Sequence, residues 1–383
     1  MTESSLLSVI VSLLTILIIS YGLFTIWLTI LWKKIQLAKP QNTDASLNIS
    51  IIIPVRNEVG NIEKLLTDLE RQTLPKDQFE ILVVDDSSTD GTRELVRRLA
   101  VKFSSKIRLV ELNDAPTSAP KKRAIETAIG LANGELIITT DGDCRVGPKW
   151  TESFANYYLA TDAKLISGPV TFTSETSLTD QLQTVEFASL IGSGAAAISA
   201  GYPSLCNGAN LAYQKKIFYE VNGFDGVRHI ASGDDEFLMH KIAAAYPNGI
   251  HFLKNSESTV FTMPHKQWSM FFRQRKRWAS KWKHYQSKTP LVLALYIFSC
   301  NFSLLVCGIF YLFGIITLSE AGLLWLLKCA PEWLFLGVVL QFFGKTKSIL
   351  FIPVTQIVYP FYVCLFGLAA QKPTYDWKGR KLK

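Results

Sequence analysis

At 383 residues the chain is long enough for one large domain or two ordinary ones, and its formal net charge is +8. The charge does not read as nucleic-acid binding: seven Lys or Arg lie between Arg273 and Lys288 and five follow Ala370, beside apolar segments and without a nucleic-acid-binding motif. Six scattered cysteines with no CxxC pair, and five histidines with no zinc-ligand spacing, argue against a disulfide framework or a zinc site.

Mean hydropathy is raised to +0.19, but the apolar residues gather at the two ends. Leu6 to Trp32 form an uncharged run of 27 residues. A helix of that length reaches about 40 Å, more than the ~30 Å hydrocarbon core of a bilayer. A cleaved signal would begin with basic residues and carry a shorter apolar stretch. Here MTESS has no Lys or Arg, and Lys33, Lys34 and Lys39 follow the run. Residues 1–39 therefore read as a retained anchor, with the N-terminus outside and the next domain on the cytoplasmic side.

Residues 40–264 alternate short apolar strands with helical stretches. A strand is expected over Ile49–Val55 (ISIIIPV), a helix from Asn61 to about Gln72, and a strand over Phe79–Asp85. Ser88 or Asp90 then offers a cap for a helix to about Lys102. A third strand at Ile107–Leu112, a helix at Lys121–Ala132 and a fourth strand at Glu135–Thr140 follow. The alternation predicts a largely parallel α/β sheet with ligands beyond the carboxyl ends of its strands. The first strand is not followed by GxGxxG, and no GxxxxGK[ST] occurs, so dinucleotide dehydrogenases and P-loop enzymes fit poorly.

Residues 265–290 form a basic, Trp-rich segment (Trp268, Trp278, Trp282) suited to a membrane interface. Residues 291–370 hold apolar runs at Leu291–Leu318, Gly322–Phe343 and Ile349–Ala370. Lys328, Pro331 and Glu332 interrupt the second run; Pro353 and Pro360 lie in the third. Two crossings plus a re-entrant or interfacial segment keep the basic tail, 371–383, inside.

Acidic residues fall where the sheet should bind ligands. Asp141 and Asp143, one residue apart at a strand end, offer hard oxygens suited to Mg²⁺ or Mn²⁺ on a diphosphate, although Asp-Gly-Asp is also an ordinary turn. Asp85-Asp86 suit a base or ribose, or simply a loop before a helix. Lys121, Lys122 and Arg123 at a helix start oppose the macrodipole, and a nearby anion would relieve them. Asp234, Asp235 and Glu236 read either as first-turn acids of a helix or as the source of a general base.

In order, IIIPVRNE (Ile51–Glu58), VVDDSSTDGT (Val83–Thr92), KKRAIETAI (Lys121–Ile129), TTDGDC (Thr139–Cys144), CNGANLAY (Cys206–Tyr213), GDDEFL (Gly233–Leu238) and QRKRW (Gln274–Trp278) resemble the inverting glycosyltransferase family 2. The likeness is to its membrane-bound branch, with cellulose, chitin and hyaluronan synthases and ceramide glucosyltransferases. It implies an α/β GT-A fold, with a Rossmann-like mixed sheet, flanked by transmembrane helices. It also implies donor contacts from Pro54, Asn57, Glu58, Asp85, Asp86, Lys121, Asp141 and Asn210, and a metal at Asp141 and Asp143. Asp235 becomes the base, with Asp234 where Glu is usual, and Gln274, Arg277 and Trp278 flank acceptor and diphosphate. The C-terminal membrane part is short for a synthase that threads a polymer.

The expected reaction is an in-line displacement that moves a sugar from a nucleotide-sugar donor, usually a UDP-sugar, to a membrane lipid or lipid-linked glycan. A processive polysaccharide synthase is the nearest rival. A non-catalytic sugar-nucleotide sensor or export subunit should have lost one of Asp141, Asp143 and Asp235, and all three are present.

Overall fold

A computed structural model describes residues 3–37, 47–113, 117–280, 289–369, 375–377 and 380–382. Lys39, Trp282 and most of the basic tail lie outside the described residues. The first helix, α1 (Glu3–Lys34), is followed by β1 (Ile49–Val55), α2 (Ile62–Glu70), β2 (Phe79–Asp86), α3 (Thr92–Lys102), β3 (Lys106–Leu112), α4 (Pro120–Leu131) and β4 (Leu136–Thr139). Next come β5 (Arg145–Val146), α5 (Trp150–Thr161), β6 (Leu165–Ser167), β7 (Val170–Phe172), α6 (Leu178–Ser199), β8 (Leu211–Gln214) and α7 (Lys215–Glu220). Then α8 (Asp234–Ala245), β9 (Ile250–Phe252), β10 (Val260–Thr262), α9 (Trp268–Ser280), α10 (Thr289–Leu312), α11 (Leu318–Phe342) and α12 (Ile352–Ala369) complete the main elements.

The chain divides into two compact units. The α/β unit comprises Lys34–Glu175, Ser193–His265 and Thr374–Lys383. Its seven-stranded sheet has the order β3-β2-β1-β4-β8-β6-β9. β1 lies parallel between β2 and β4, and β3 extends the parallel edge. The isoleucines of β1 and the Ile81–Val84 run of β2 are buried, as strands covered on both faces require. Helix α2 buries Ile62, Leu65, Leu66 and Leu69, the i, i+3, i+4, i+7 stripe of a crossover helix. The sheet is mixed, as the GT-A likeness implies, because β8 runs antiparallel to both β4 and β6. A smaller sheet, β5-β10-β7, adjoins in sequence.

The helical unit comprises Met1–Lys33, Thr176–Gly192 and Lys266–Pro373. Its membership departs from the expected 40–264 block, since Thr176–Gly192 leaves the α/β unit. The polar side chains of α6 explain the departure. Asp180 pairs with Lys266 (3.1 Å), Gln181 accepts a hydrogen bond from Ser348 (2.6 Å), and Glu186 accepts bonds from Arg275 Nε (2.8 Å) and the Tyr362 hydroxyl (3.0 Å).

Four helical segments are long and apolar enough to cross a membrane: Leu6–Lys34, Thr289–Leu312, Leu318–Phe342 and Thr346–Phe366. All three C-terminal runs therefore reach spanning length. The polar interruption in α11 is paired inside the unit. Lys328 meets Glu332 one turn on (2.8 Å), the Tyr21 hydroxyl donates to Glu332 (2.5 Å), and Gln356 donates to the Cys329 carbonyl (2.8 Å). Gly22 lets α1 approach this point, because a Cβ there would stand 2.9 Å from the Leu327 carbonyl oxygen.

Candidate active site

Parallel pairing brings the carboxyl ends of β1, β2 and β4 to one edge of the sheet, and each is followed by one of the acidic or amide-bearing loops. Val55 pairs with Asp85, and Ile52 with Thr139. The Asp141-Gly142-Asp143 turn packs on the loop after β1: a Cβ on Gly142 would fall 2.8 Å from Val55 Cγ1 and 3.2 Å from Glu58 Cγ.

Asn57, in the left-handed region at φ 55°, ties this edge together. Its backbone N–H donates to Ser88 Oγ and its Oδ1 accepts from the Thr89 N–H, both at 2.9 Å. Glu58 accepts from Asn61 Nδ2 (2.9 Å), and Pro54 sits in β1 opposite Val84. The N-cap position of α3 is Gly91 at φ 91°, and the expected Asp90 holds the helix start from one residue further back: its Oδ1 accepts from the Thr92 N–H (3.1 Å) and hydroxyl (2.5 Å).

Asp85 is fully buried. Its Oδ1 accepts from the Ser88 N–H (3.0 Å) and Arg93 Nε (2.6 Å), whereas its Oδ2 is buried with no hydrogen-bond partner among the described residues. An unsatisfied buried acceptor costs about 1–3 kcal/mol, which a donor on a bound ligand would recover. Asp86 is bound through Oδ1 by Arg123 (2.7 Å).

The three cations at the start of α4 separate in function. Lys122 is buried and donates to the carbonyls of Val227 (3.0 Å), Ile230 (2.6 Å) and Ser232 (2.9 Å), so it staples the loop that leads into α8. Arg123 is committed to Asp86, and only Lys121 enters the site. Its ammonium lies 2.8 Å from Asp141 Oδ1 and 3.3 Å from Asp234 Oδ2. Burial works to depress its pKa, but Asp141 and Asp234 outweigh burial and hold it above the ordinary lysine range.

Asp234 and Asp235 open α8 behind Gly233, which adopts φ 77°. Asp235 accepts two backbone hydrogen bonds, from Gly208 (3.0 Å) and Glu236 (2.8 Å). Gly208 is in turn fixed by its carbonyl, which accepts from Thr139 Oγ1 (3.0 Å) at the end of β4.

Asp141 and Asp143 provide two hard oxygen donors of the kind that share Mg²⁺ or Mn²⁺ with ligand phosphates. Among the described residues no three His, Cys, Asp or Glu side chains gather into a metal cage, and a cation held by this pair would need further oxygens from a ligand or solvent. Cys144 is not part of such a set: burial, with Asp143 and Asp141 beside it, pushes its thiol well above the usual range.

Asn210 differs from its expected place against the donor. It is fully buried, its Oδ1 accepts from Trp150 Nε1 (2.9 Å), and its Nδ2 donates to the carbonyls of Pro169 and Ser258, both at 2.8 Å. Every strong bond of this amide goes to protein. Asn210→Ala is expected to lower thermal stability by several kcal/mol, since three buried partners lose bonds worth about 1–3 kcal/mol each, with donor KM unchanged in the folded fraction. Calorimetry alongside donor titration checks this.

Gln274, Arg277 and Trp278 belong to the helical unit, on α9. There the residue between them, Arg275, is the buried one: it pairs with both oxygens of Glu186 and lies 4.3 Å from the Trp278 ring and 4.7 Å from that of Phe271. Gln274 Oε1 accepts from Arg275 (2.5 Å), and Trp278 stacks on Phe187 at 6.3 Å.

The profile of glycosyl transferase family 2 matches residues 50–221, and that of glycosyl transferase family group 2 matches residues 136–366, more than half of the chain. The chain belongs to glycosyl transferase family 2. Glycosyltransferase AglE of Haloferax volcanii is 35% identical over 125 residues, covering 33% of this chain and 40% of that one. An undecaprenyl-phosphate 4-deoxy-4-formamido-L-arabinose transferase of Aeromonas hydrophila is 37% identical over 112 residues, 28% of this chain and 32% of that one. These matches span less than half the length of either relative. Among solved structures, the mannosyltransferase PcManGT of Pyrobaculum calidifontis, in complex with GDP-Man and Mn²⁺, has a TM-score of 0.57 at 18% identity, covering 93% of this chain and 99% of that one. This likeness gives the fold as GT-A.

Proposed function

We propose that this family 2 protein transfers one sugar, with inversion, from a nucleotide-sugar donor to a hydroxyl of a membrane lipid or lipid-linked glycan on the cytoplasmic side of its membrane. The observation that carries the reading is the meeting of two acidic motifs, Asp141 with Asp234 and Asp235, around one lysine at the carboxyl edge of the sheet. A diphosphate leaving group and an acceptor oxygen must both reach such an edge.

In this reading Asp85 and Asp86 hold the base and ribose, and the unsatisfied Asp85 Oδ2 accepts a ligand donor. Asp235, oriented by the Gly208 and Glu236 N–H groups, takes the acceptor proton. The acceptor oxygen bonds to the anomeric carbon as the bond from that carbon to the diphosphate oxygen breaks, and the nucleoside diphosphate leaves. Bound at Asp141 and Asp143, Mg²⁺ or Mn²⁺ would supply neutralisation of the charge growing on that diphosphate. Gln274, Arg277 and Trp278 are assigned to acceptor and diphosphate. Four apolar helices and a relative named as an undecaprenyl-phosphate 4-deoxy-4-formamido-L-arabinose transferase support a lipidic acceptor. The basic residues after α1 and along α9 support a cytoplasmic catalytic unit.

The test is nucleotide release from a panel of UDP- and GDP-sugars by the full chain in detergent, with membrane lipid extract and Mn²⁺ or Mg²⁺. Release with one donor, dependent on the extract, lost with chelator and yielding lipid bearing one added sugar, is expected. A ladder of products would favour polymer synthesis, and donor binding without release under any acceptor would leave a binding protein.

A further inference from the structure

We infer that Lys121 is the resident counter-ion of the cation site: it occupies Asp141 while no donor is bound, and it yields that carboxylate only when a diphosphate arrives to receive its ammonium. The inference rests on reading Asp141 and Asp143 as the metal ligands.

The charges set the problem. Asp141, Asp143, Asp234 and Asp235 bring four carboxylates to one strand edge and one helix start, and Lys121 is the cation that reaches between them. Its ammonium bridges two motifs distant in sequence, with Asp141 on one side at 2.8 Å and Asp234 on the other at 3.3 Å. The bridge is largely enclosed, with side-chain exposures of 20% for Lys121, 12% for Asp234 and 37% for Asp141. Gly208 closes a further side: a Cβ there would stand 3.3 Å from the ammonium and 3.1 Å from Asp234 Oδ2, and glycine leaves just the room the lysine needs.

A divalent cation on the same Asp141 carboxylate would stand within a few ångströms of this ammonium, and two like charges so close in a partly enclosed site repel strongly. Free metal is therefore disfavoured while Lys121 stays in place. A nucleoside diphosphate changes the balance, since it brings anionic oxygens that ligate the cation and also receive the ammonium. Metal and donor then bind with positive coupling, and by linkage each raises the affinity of the other by the same factor. Lys121 thus moves from a carboxylate bridge to the leaving group, which frees Asp234 beside the proposed base.

The measurement is Mn²⁺ affinity of the full chain in detergent, read by electron paramagnetic resonance of free Mn²⁺, with and without UDP or GDP. Wild-type protein is expected to bind Mn²⁺ at least tenfold more tightly with the preferred nucleotide. Lys121→Met should bind Mn²⁺ without nucleotide at least tenfold more tightly than wild type, so that nucleotide then raises Mn²⁺ affinity by a smaller factor than in wild type; Lys121→Arg should restore most of the coupling. Unchanged or weaker nucleotide-free binding in Lys121→Met, with wild-type binding in the presence of nucleotide showing the variant folded, would overturn the inference. Asp141→Asn separates the two ideas: if it binds Mn²⁺ as wild type does, the metal-site reading fails and takes this inference with it. If Asp141→Asn loses Mn²⁺ while Lys121→Met behaves as wild type, the metal site stands and the counter-ion role alone is refuted.

Discussion

Asp235→Asn lowers nucleotide release by about 10²- to 10⁴-fold, the range that a positioned general base contributes, while donor binding stays within about twofold of wild type. Asn keeps the shape and one acceptor oxygen, so it can hold either the Gly208 or the Glu236 N–H. Its amide nitrogen then faces the other backbone donor, a local mismatch worth about 1 kcal/mol. What it cannot do is take a proton from an acceptor hydroxyl. Asp234→Asn makes the comparison informative. That substitution removes the 3.3 Å contact with Lys121 but leaves the two backbone bonds of Asp235 intact. Single-turnover kinetics on both variants therefore assigns the base: if Asp234→Asn is the inactive one and Asp235→Asn turns over, the roles are reversed.

The second large effect lies on α9. Arg275→Met should destabilise the helical unit by about 3–5 kcal/mol, because it strands the buried Glu186 carboxylate without its cation. Tyr362 would still donate to Glu186, but one neutral hydroxyl does not replace a guanidinium bound to both oxygens. The double variant Arg275→Met with Glu186→Leu should recover much of the loss, since an apolar pair of similar volume buries no charge. Thermal unfolding in detergent at one fixed scan rate reads all three proteins. Arg277→Ala is expected to lose turnover. An Arg275→Met protein as stable as wild type would show that the Glu186 pair adds nothing.

The contrast between Arg275 and Arg277 shows where sequence reading stops. Both sit in QRKRW, and the string alone does not say which guanidinium turns inward, because the burial partner, Glu186, lies 89 residues away. Lys121 and Lys122 pose the same difficulty. Adjacent helical residues project about 100° apart, so one reaches the acidic edge and its neighbour staples the loop of Val227 to Ser232. Asn210 was legible as part of a motif but not as a brace, since Trp150, Pro169 and Ser258 are brought to it only by the fold. Local pattern did better with the sheet. The β-branched runs of β1 and β2 and the acidic loops at their ends follow from nearest neighbours, and the strands lie within a residue or two of where the apolar runs begin and end. The reversed direction of β8 and the grouping of Thr176–Gly192 with the helices depend on partners remote in the chain, which periodicity does not encode.

The Lys328–Glu332 pair in α11 bears on how the protein is made. Taken alone, α11 would carry an ammonium and a carboxylate into hydrocarbon, and such residues raise the cost of insertion at the translocon. Tyr21, which donates to Glu332, lies on α1, which leaves the ribosome before α11, so an α1 lodged in the bilayer would offer a partner as α11 emerges. Gln356, which donates to the Cys329 carbonyl, arrives after it, on α12. Chain order thus supplies α11 with a receptor before it and a lid after it, and a polypeptide synthesised without α1 should have difficulty integrating α11 even though every residue of that helix is unchanged.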